Sequence, residues 1–344
     1  MTGALATLAP GLPPRLDLGV RASPLEERPA VAKRLGCDQL LVKREDLNGF
    51  PFGGNKLRAL EWLLPATGRA IVSMGGYGST WCAALSAAAA SVGRRAYPGL
   101  FPQPWSATVA GALATTIRHG QPVVARSRWG MGRALCNAFL LARRAGPVTW
   151  LPAGGACPLA VLGTIEAALE FADQCDAHGG FPEAVVVPLG SGGTAAGLLI
   201  GMWIVGRPVS VCAVRVTDPW FATGRRVLSL VRRTLRLLRG AGCRVAPGAA
   251  RLRVVTDQLG RGYGAATPAA TAACAEMARE GLPLDMTYGS KAWAALPGCA
   301  ASFRRVCFWH TFDPRLACPP AVDHPLLRTA RGYAEMLWPL RKST

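Results

Sequence analysis

The stretch Ala184-Val185-Val186-Val187-Pro188-Leu189-Gly190-Ser191-Gly192-Gly193-Thr194, continued by uncharged residues to Ile204, decides how the chain is read. From Ala184 to Gly206 no residue is charged, and the segment is long enough to span a bilayer. The glycine cluster breaks it instead into a strand over 184–189, a tight turn, and a helix over 194–204. At such a turn several backbone N–H groups converge with the positive helix end on an anion, and the Ser191 and Thr194 hydroxyls add donors. The turn lacks the lysine of a Walker loop, and its spacing is not that of a dinucleotide fingerprint. A phosphate monoester suits it best. Glycine turns of this kind also serve as plain connections, so both readings stand on this stretch alone.

The same rhythm runs through the chain. Ala70 to Met74 reads as a buried strand. Gly75-Gly76-Tyr77-Gly78-Ser79-Thr80 then opens an alanine-rich helix over 81–92, with Ser79 or Thr80 as its N-cap. Further strands are expected at 39–43, 95–100, 122–126, 148–152 and 209–216, and helices at 25–35, 106–118, 132–144 and 163–175. Strands alternating with helices through glycine turns indicate an α/β protein with mostly parallel sheets. Ligands of such folds sit at the carboxyl ends of strands, where these turns fall.

Composition bounds the function classes. The chain has 344 residues, 50% apolar, with 40 Gly and 27 Pro, which is a globular composition. The net charge of +19 would suit a polyanion. Nearly all of it is arginine, however, accompanied by abundant Ala, Gly and Pro. GC-rich codon usage explains that bias, and no nucleic-acid module is recognisable. The basic segment Arg225–Arg239 reads as a surface helix with an apolar side on the sheet. Eleven scattered cysteines without a C-x-x-C pair, and four separated histidines, form neither a disulfide framework nor a zinc site. The first twelve residues lack the positive region of a signal peptide. The expectation is a reduced, metal-free cytoplasmic protein that binds neither nucleic acid nor membrane.

One further stretch carries chemistry. Gly53-Gly54-Asn55-Lys56-Leu57-Arg58 places a lysine after a glycine turn, at the start of a helix. Lysine is scarce, occurring only at 33, 43, 56, 291 and 342 among 39 basic residues. A partly desolvated lysine amine forms an imine, which guanidinium cannot do. Alone, Lys56 is equally a solvated loop lysine. An imine-forming lysine together with a phosphate cradle is what pyridoxal phosphate requires.

Here the chain resembles a known family. Val42-Lys43-Arg44-Glu45-Asp46-Leu47 followed by Gly53–Arg58 is similar to the aminocyclopropane-carboxylate deaminase and D-cysteine desulfhydrase family. That family belongs to the tryptophan-synthase-β-like pyridoxal phosphate enzymes. The likeness continues in order through Gly75–Ser79, Pro152–Gly155, Gly190–Thr194, Gly262-Tyr263-Gly264, Gly281–Lys291 and Phe308–Thr311, covering roughly residues 15 to 315. It implies two open parallel-sheet α/β domains with the cofactor in the cleft between them. Residues 1–60 and 164–344 would form the larger, cofactor-binding domain, and 61–163 the smaller one.

The resemblance also implies roles. Lys56 would hold the cofactor as a Schiff base, with Asn55 beside it and the loop Gly190, Ser191, Gly192, Gly193 and Thr194 around its phosphate. Ser79 would meet the substrate carboxylate or its reactive carbon. Tyr263 and Tyr288 would line the active site, and Thr311 would face the pyridine nitrogen. A neutral hydroxyl there makes the ring a weaker electron sink and favours eliminations. Tyr263 and Tyr288 serve equally as packing residues, and Ser79 and Thr311 as cap or turn hydroxyls. Lys291 reads as structural, and Tyr77 either overhangs the site or fills space.

The departures from the family pattern concern substrate choice. Ser79-Thr80-Trp81 replaces Ser-Asn-His, with Thr80 substituting part of a contact to the cofactor. Gly289 stands where the deaminases carry glutamate and the desulfhydrases threonine. Phe312-Asp313 replaces Gly-Gly, which would bring Asp313 within reach of the ring-nitrogen wall. The expected activity is β-elimination or ring opening of a small amino acid to a 2-oxo acid and ammonia, by a homodimer. The alternatives are β-replacement, or cofactor binding without turnover.

Overall fold

The structure, a computed structural model, describes residues 4–49, 52–317 and 323–339. Cys318 and the first three residues lie outside that range. Strands β1 (Leu25–Glu27), β2 (Gln39–Arg44), β3 (Ala70–Gly76), β4 (Arg95–Phe101), β5 (Val123–Val124) and β6 (Val148–Trp150) precede β7 (Ala184–Leu189), the strand of the opening stretch. β8 (Ser210–Arg215), β9 (Arg251–Val255) and β10 (Arg305–His310) follow it. They form two sheets, ordered β1-β2-β10-β7-β8-β9 and β5-β4-β3-β6. Apart from the antiparallel β1–β2 pair, every pairing is parallel.

The near-continuous apolar runs follow from sheets covered on both faces. In β7, Val185, Val187 and Leu189 enter one core cluster, while Ala184 and Val186 enter another. β8 divides in the same way, Val211 and Ala213 against Cys212 and Val214. In the second sheet Ile71 and Val72 point to opposite clusters.

The helices are α1 (Ala4–Leu8), α2 (Pro29–Leu35), α3 (Lys56–Leu63), α4 (Thr80–Ser91), α5 (Ala107–His119), α6 (Met131–Arg143), α7 (Pro158–Ala177), α8 (Gly193–Ile204) and α9 (Gly224–Gly240). After them come α10 (Pro268–Arg279), α11 (Gly289–Trp293), α12 (Leu296–Ala300) and α13 (Pro325–Leu337). None is long and apolar enough to cross a membrane among the described residues. Helix α8 owes its uncharged sequence to burial against α7. A Cβ on Gly197 would stand 2.5 Å from Thr164, and one on Gly201 2.3 Å from Ala168, so the glycines permit close helix approach. Leu198, Leu199 and Ile200 are buried there, each stabilising the contact by about 2 kcal/mol. Helix α9 lays Val227, Leu230, Val231 and Leu238 on the first sheet's core and turns its arginines outward.

Four sequence expectations shift. The helix expected over 25–35 is divided: Leu25–Glu27 pairs with Leu41–Lys43, and the helix begins only at Pro29, whose fixed φ suits a first turn. The helix expected from Gly163 begins a turn earlier, again at a proline, Pro158. The strand at 122–126 shrinks to Val123–Val124 at a sheet edge. Strand β9, with arginines at 251 and 253 beside apolar residues, adds an edge to the six-stranded sheet that the sequence pattern does not announce.

Candidate active site

The carboxyl ends of the strands converge. The last residue of β4, Phe101, and the segments following β2, β3, β5, β6, β7, β8, β9 and β10 all contribute to the wall of one cavity of about 320 Å³. This is where ligands bind in open parallel sheets.

Lys56 opens α3 at this wall. Its amine has no hydrogen-bond or ion-pair partner among the described residues, and enclosure pushes the ammonium down to about 8. Gly54, at φ 80°, turns the chain into the helix, and the Asn55 N–H donates to the Thr311 carbonyl at 3.0 Å. The Asn55 side chain reaches the other loop: Nδ2 donates to Thr194 Oγ1 at 3.0 Å. In that loop Gly192 adopts φ 92°, which a side chain strongly disfavours. The N–H groups of residues 190–194 make no hydrogen bond among the described residues. A Cβ on Gly193 would meet nothing within 4 Å. Gly190, Ser191, Gly192 and Thr194 line the cavity, whereas Gly193 is not part of its wall.

Ser79 caps α4, its Oγ accepting from the Cys82 N–H at 3.2 Å. The N–H groups of Thr80 and Trp81 lack acceptors among the described residues, so this helix end also offers donors to the cavity. The Thr80 and Thr311 hydroxyls line it without partners among the described residues. The Tyr263 and Tyr288 hydroxyls meet at 2.6 Å, and burial raises both phenols above their usual range. Tyr288 is held from behind. The buried Asp285 accepts from the N–H groups of Thr287, Tyr288 and Gly289 at 3.0, 2.7 and 2.8 Å.

Other residues singled out in the sequence serve packing. Trp81 donates from Nε1 to Ser73 Oγ at 2.8 Å and presses on Gly155, filling the wall. Tyr77 is buried, donates to the Ala125 carbonyl and lies outside the cavity wall. Lys291 is buried and donates to the Leu259 and Gly262 carbonyls at 2.7 and 3.1 Å, bracing the loop that carries Tyr263. Asp313 does not supply a carboxylate to the site. Both its oxygens are taken by Arg315, at 2.6 to 3.0 Å, and it stands outside the wall. Among the described residues no group of three or more His, Cys, Asp or Glu could hold a metal ion. The sequence reading missed the mouth, formed by Phe101, Arg128, Met131, Asp218, Trp220 and Phe221. Phe101 ends β4 and Met131 opens α6, while the other four sit on loops without a local pattern; only their position at or after a strand end pointed to them.

An open parallel α/β scaffold with an unpartnered amine and a free N–H cradle in one cavity defines an enzyme built for an anionic carbonyl cofactor. Comparison with known proteins identifies the class: residues 16–311 match the pyridoxal-phosphate dependent enzyme family, and the chain belongs to it. It is 33% identical over 319 residues to nocardicin C-9' epimerase of Nocardia uniformis subsp. tsuyamanensis, covering 89% of this chain and 95% of that one. It is 30% identical over 300 residues to D-cysteine desulfhydrase of Salmonella choleraesuis, covering 82% and 87%. The crystal structure of an ACC deaminase homologue superposes with a TM-score of 0.78 at 26% identity, over 91% of this chain and 95% of that one.

The residues fit that cofactor. A desolvated amine without a partner is competent to form an imine, and the unbonded N–H groups of residues 190–194, with room where Gly193 lacks a side chain, suit a phosphate.

Proposed function

We propose that the protein is a pyridoxal phosphate-dependent lyase or deaminase that acts at the α-carbon of an amino acid, in the manner of D-cysteine desulfhydrase. It would release a 2-oxo acid and ammonia. The observation that carries this reading is the unpartnered Lys56 amine sharing a cavity with the free N–H groups of the Gly190–Thr194 loop. The cofactor, once bound, supplies electron withdrawal from the α-carbon. Lys56 would hold its aldehyde carbon, Gly190–Thr194 its phosphate and Thr311 its ring nitrogen, with Asn55 and Thr80 alongside. The amino end of α4 at Ser79 binds the substrate carboxylate. The Lys56 amine would also take the proton from the substrate α-carbon, its depressed pKa leaving a fraction of free amine near neutrality. The Tyr263–Tyr288 pair, neutral at such pH, is placed to move a proton to or from the departing β-substituent. The same reading divides the chain into 1–60 with 164–344 and 61–163, and makes it a cytoplasmic homodimer.

The test is spectroscopic and then chemical. Protein reconstituted with pyridoxal phosphate should show a visible band near ~410–430 nm that Lys56→Ala lacks. A band that persists in the variant would sink the assignment. With D-cysteine, L-serine or aminocyclopropane carboxylate, formation of 2-oxo acid and ammonia identifies the lyase. A second reading, epimerisation at the α-carbon, is supported by the match to nocardicin C-9' epimerase. It predicts α-deuterium incorporation from D₂O with inversion and no 2-oxo acid.

A further inference from the structure

The cavity extends beyond the groups that reaction uses. Its mouth is lined by Phe101 and Met131 from the second sheet's side and by Trp220 and Phe221 on the loop after β8. The loop's ring pair is ordered. Phe221 lies 4.5 Å below the Arg226 guanidinium and 5.8 Å from Trp220, edge to face at 74°. Trp220 is nevertheless 74% exposed. A large indole in water at a cavity mouth, fixed by a neighbour that is itself fixed, is an unused apolar surface. Arg128 spans the same mouth. Its guanidinium sits 5.3 Å over Phe101, and its Nη1 lies 3.1 Å from each Asp218 carboxylate oxygen. The ion pair cancels the charge there. What remains towards a ligand is a π-rich surface, with the Arg226 guanidinium behind Phe221, and it selects by shape and aromaticity.

We propose that this mouth is a side-chain subsite for an aromatic ring, and that the substrate is an aryl-bearing amino acid. Its α-carbon lies at Lys56 and its ring against Trp220 and Phe221. The proposal rests on the cofactor reading above and enlarges the substrate that reading expects. The side chain of cysteine or serine adds only two heavy atoms beyond the α-carbon and has no ring to stack on Trp220 or Phe221. An aryl group supplies that ring. Because the Trp220–Phe221–Arg226 stack is formed in advance, little side-chain ordering opposes binding.

The test uses the cofactor-loaded protein and two ligands without an α-proton, α-methylphenylalanine and 2-aminoisobutyrate, which bind without turnover. Affinities are read by calorimetry and by the shift of the cofactor band. α-Methylphenylalanine of one hand should bind at least about tenfold more tightly than 2-aminoisobutyrate, the scale of one buried, stacked ring. Trp220→Ala should bring that ratio down to roughly one to three, whereas Trp129→Ala, a 98% exposed tryptophan outside the cavity wall, should leave the ratio as it is. A wild-type ratio near one, with the band present, overturns the subsite and spares the cofactor reading. Absence of the band in the wild type overturns both. A Trp220→Ala protein that changes its oligomeric state by light scattering, with the ratio unchanged, makes Trp220 an interface residue and equally overturns the subsite.

Discussion

Asn55 Nδ2 and Thr194 Oγ1 are hydrogen-bonded at 3.0 Å, across 139 residues of chain. The bond ties the turn that carries Lys56 to the loop whose N–H groups are unbonded among the described residues, the two loops proposed above to hold the cofactor. Two ends of one ligand are thereby held at a set separation. Asn55→Ala should weaken pyridoxal phosphate binding by about 3- to 10-fold, the equivalent of one neutral hydrogen bond. Titration of the apoprotein followed by the visible band measures it. Unchanged affinity would show that the two loops are positioned independently.

In the proposed role, Lys56 would set the pH at which the cofactor attaches. Only the neutral amine attacks an aldehyde, and burial lowers this group from 10.5 to about 8. The rate at which the band appears should therefore climb with pH and level off above about 8; a midpoint near 10.5 would mean that the amine is solvated. The same shift bears on stability before the cofactor is attached. Between about 8 and 10.5 the unfolded chain binds more protons than the folded one, so stability rises with pH across that window. Below it the full cost of burying the amine remains.

The parts of the site legible in the sequence are those where one residue type answers a local backbone demand. Gly192 reports a left-handed turn, Ser79 a helix cap, and the glycine turn before Lys56 a helix that opens at the cavity wall. The apolar runs of β7 and β8 report sheets covered on both faces. What stayed hidden depends on which side chain wins a shared partner. Asp313 is near Thr311 in sequence, yet Arg315 two residues along captures it. Arg128 and Asp218 meet across 90 residues, and neither loop has a periodicity that announces the pair. Leu25–Glu27 is a strand because β2 offers it an edge, a fact of tertiary pairing that its own composition does not carry.

The Tyr263 and Tyr288 hydroxyls, 2.6 Å apart, satisfy each other where burial has desolvated both phenols. Removing one hydroxyl leaves its partner without that bond. Tyr288→Phe and Tyr263→Phe should each lower stability by about 1–3 kcal/mol, and the double variant by less than their sum. Urea unfolding of the four proteins completes the cycle. Additive losses would mean that each hydroxyl finds water instead. A lyase that uses the pair as a proton carrier would lose turnover in both single variants with little change in cofactor affinity.

Behind α3 lies a buried ionic cluster. Arg58, two residues into the helix that begins at Lys56, donates to Glu45 at 2.6 and 2.8 Å and to Glu170 at 2.8 Å. The Lys43 ammonium is paired with the same Glu170 and donates to the Ser23 carbonyl and Gln174 Oε1, each at 2.7 Å. Burial pushes Lys43 down, and the neighbouring carboxylates oppose that push. Glu170→Leu would leave two buried cations to share Glu45, so a loss of about 3–5 kcal/mol is expected. A loss under about 1 kcal/mol would mean that water reaches the cluster once it is disturbed. Because Arg58 rides on the same helix as Lys56, the variant should also slow attachment of the cofactor at fixed pH. A charge-removing rescue separates the two effects. Glu170→Leu combined with Lys43→Met removes one stranded cation, and should recover stability while attachment stays slow if Arg58 is what holds α3 in register.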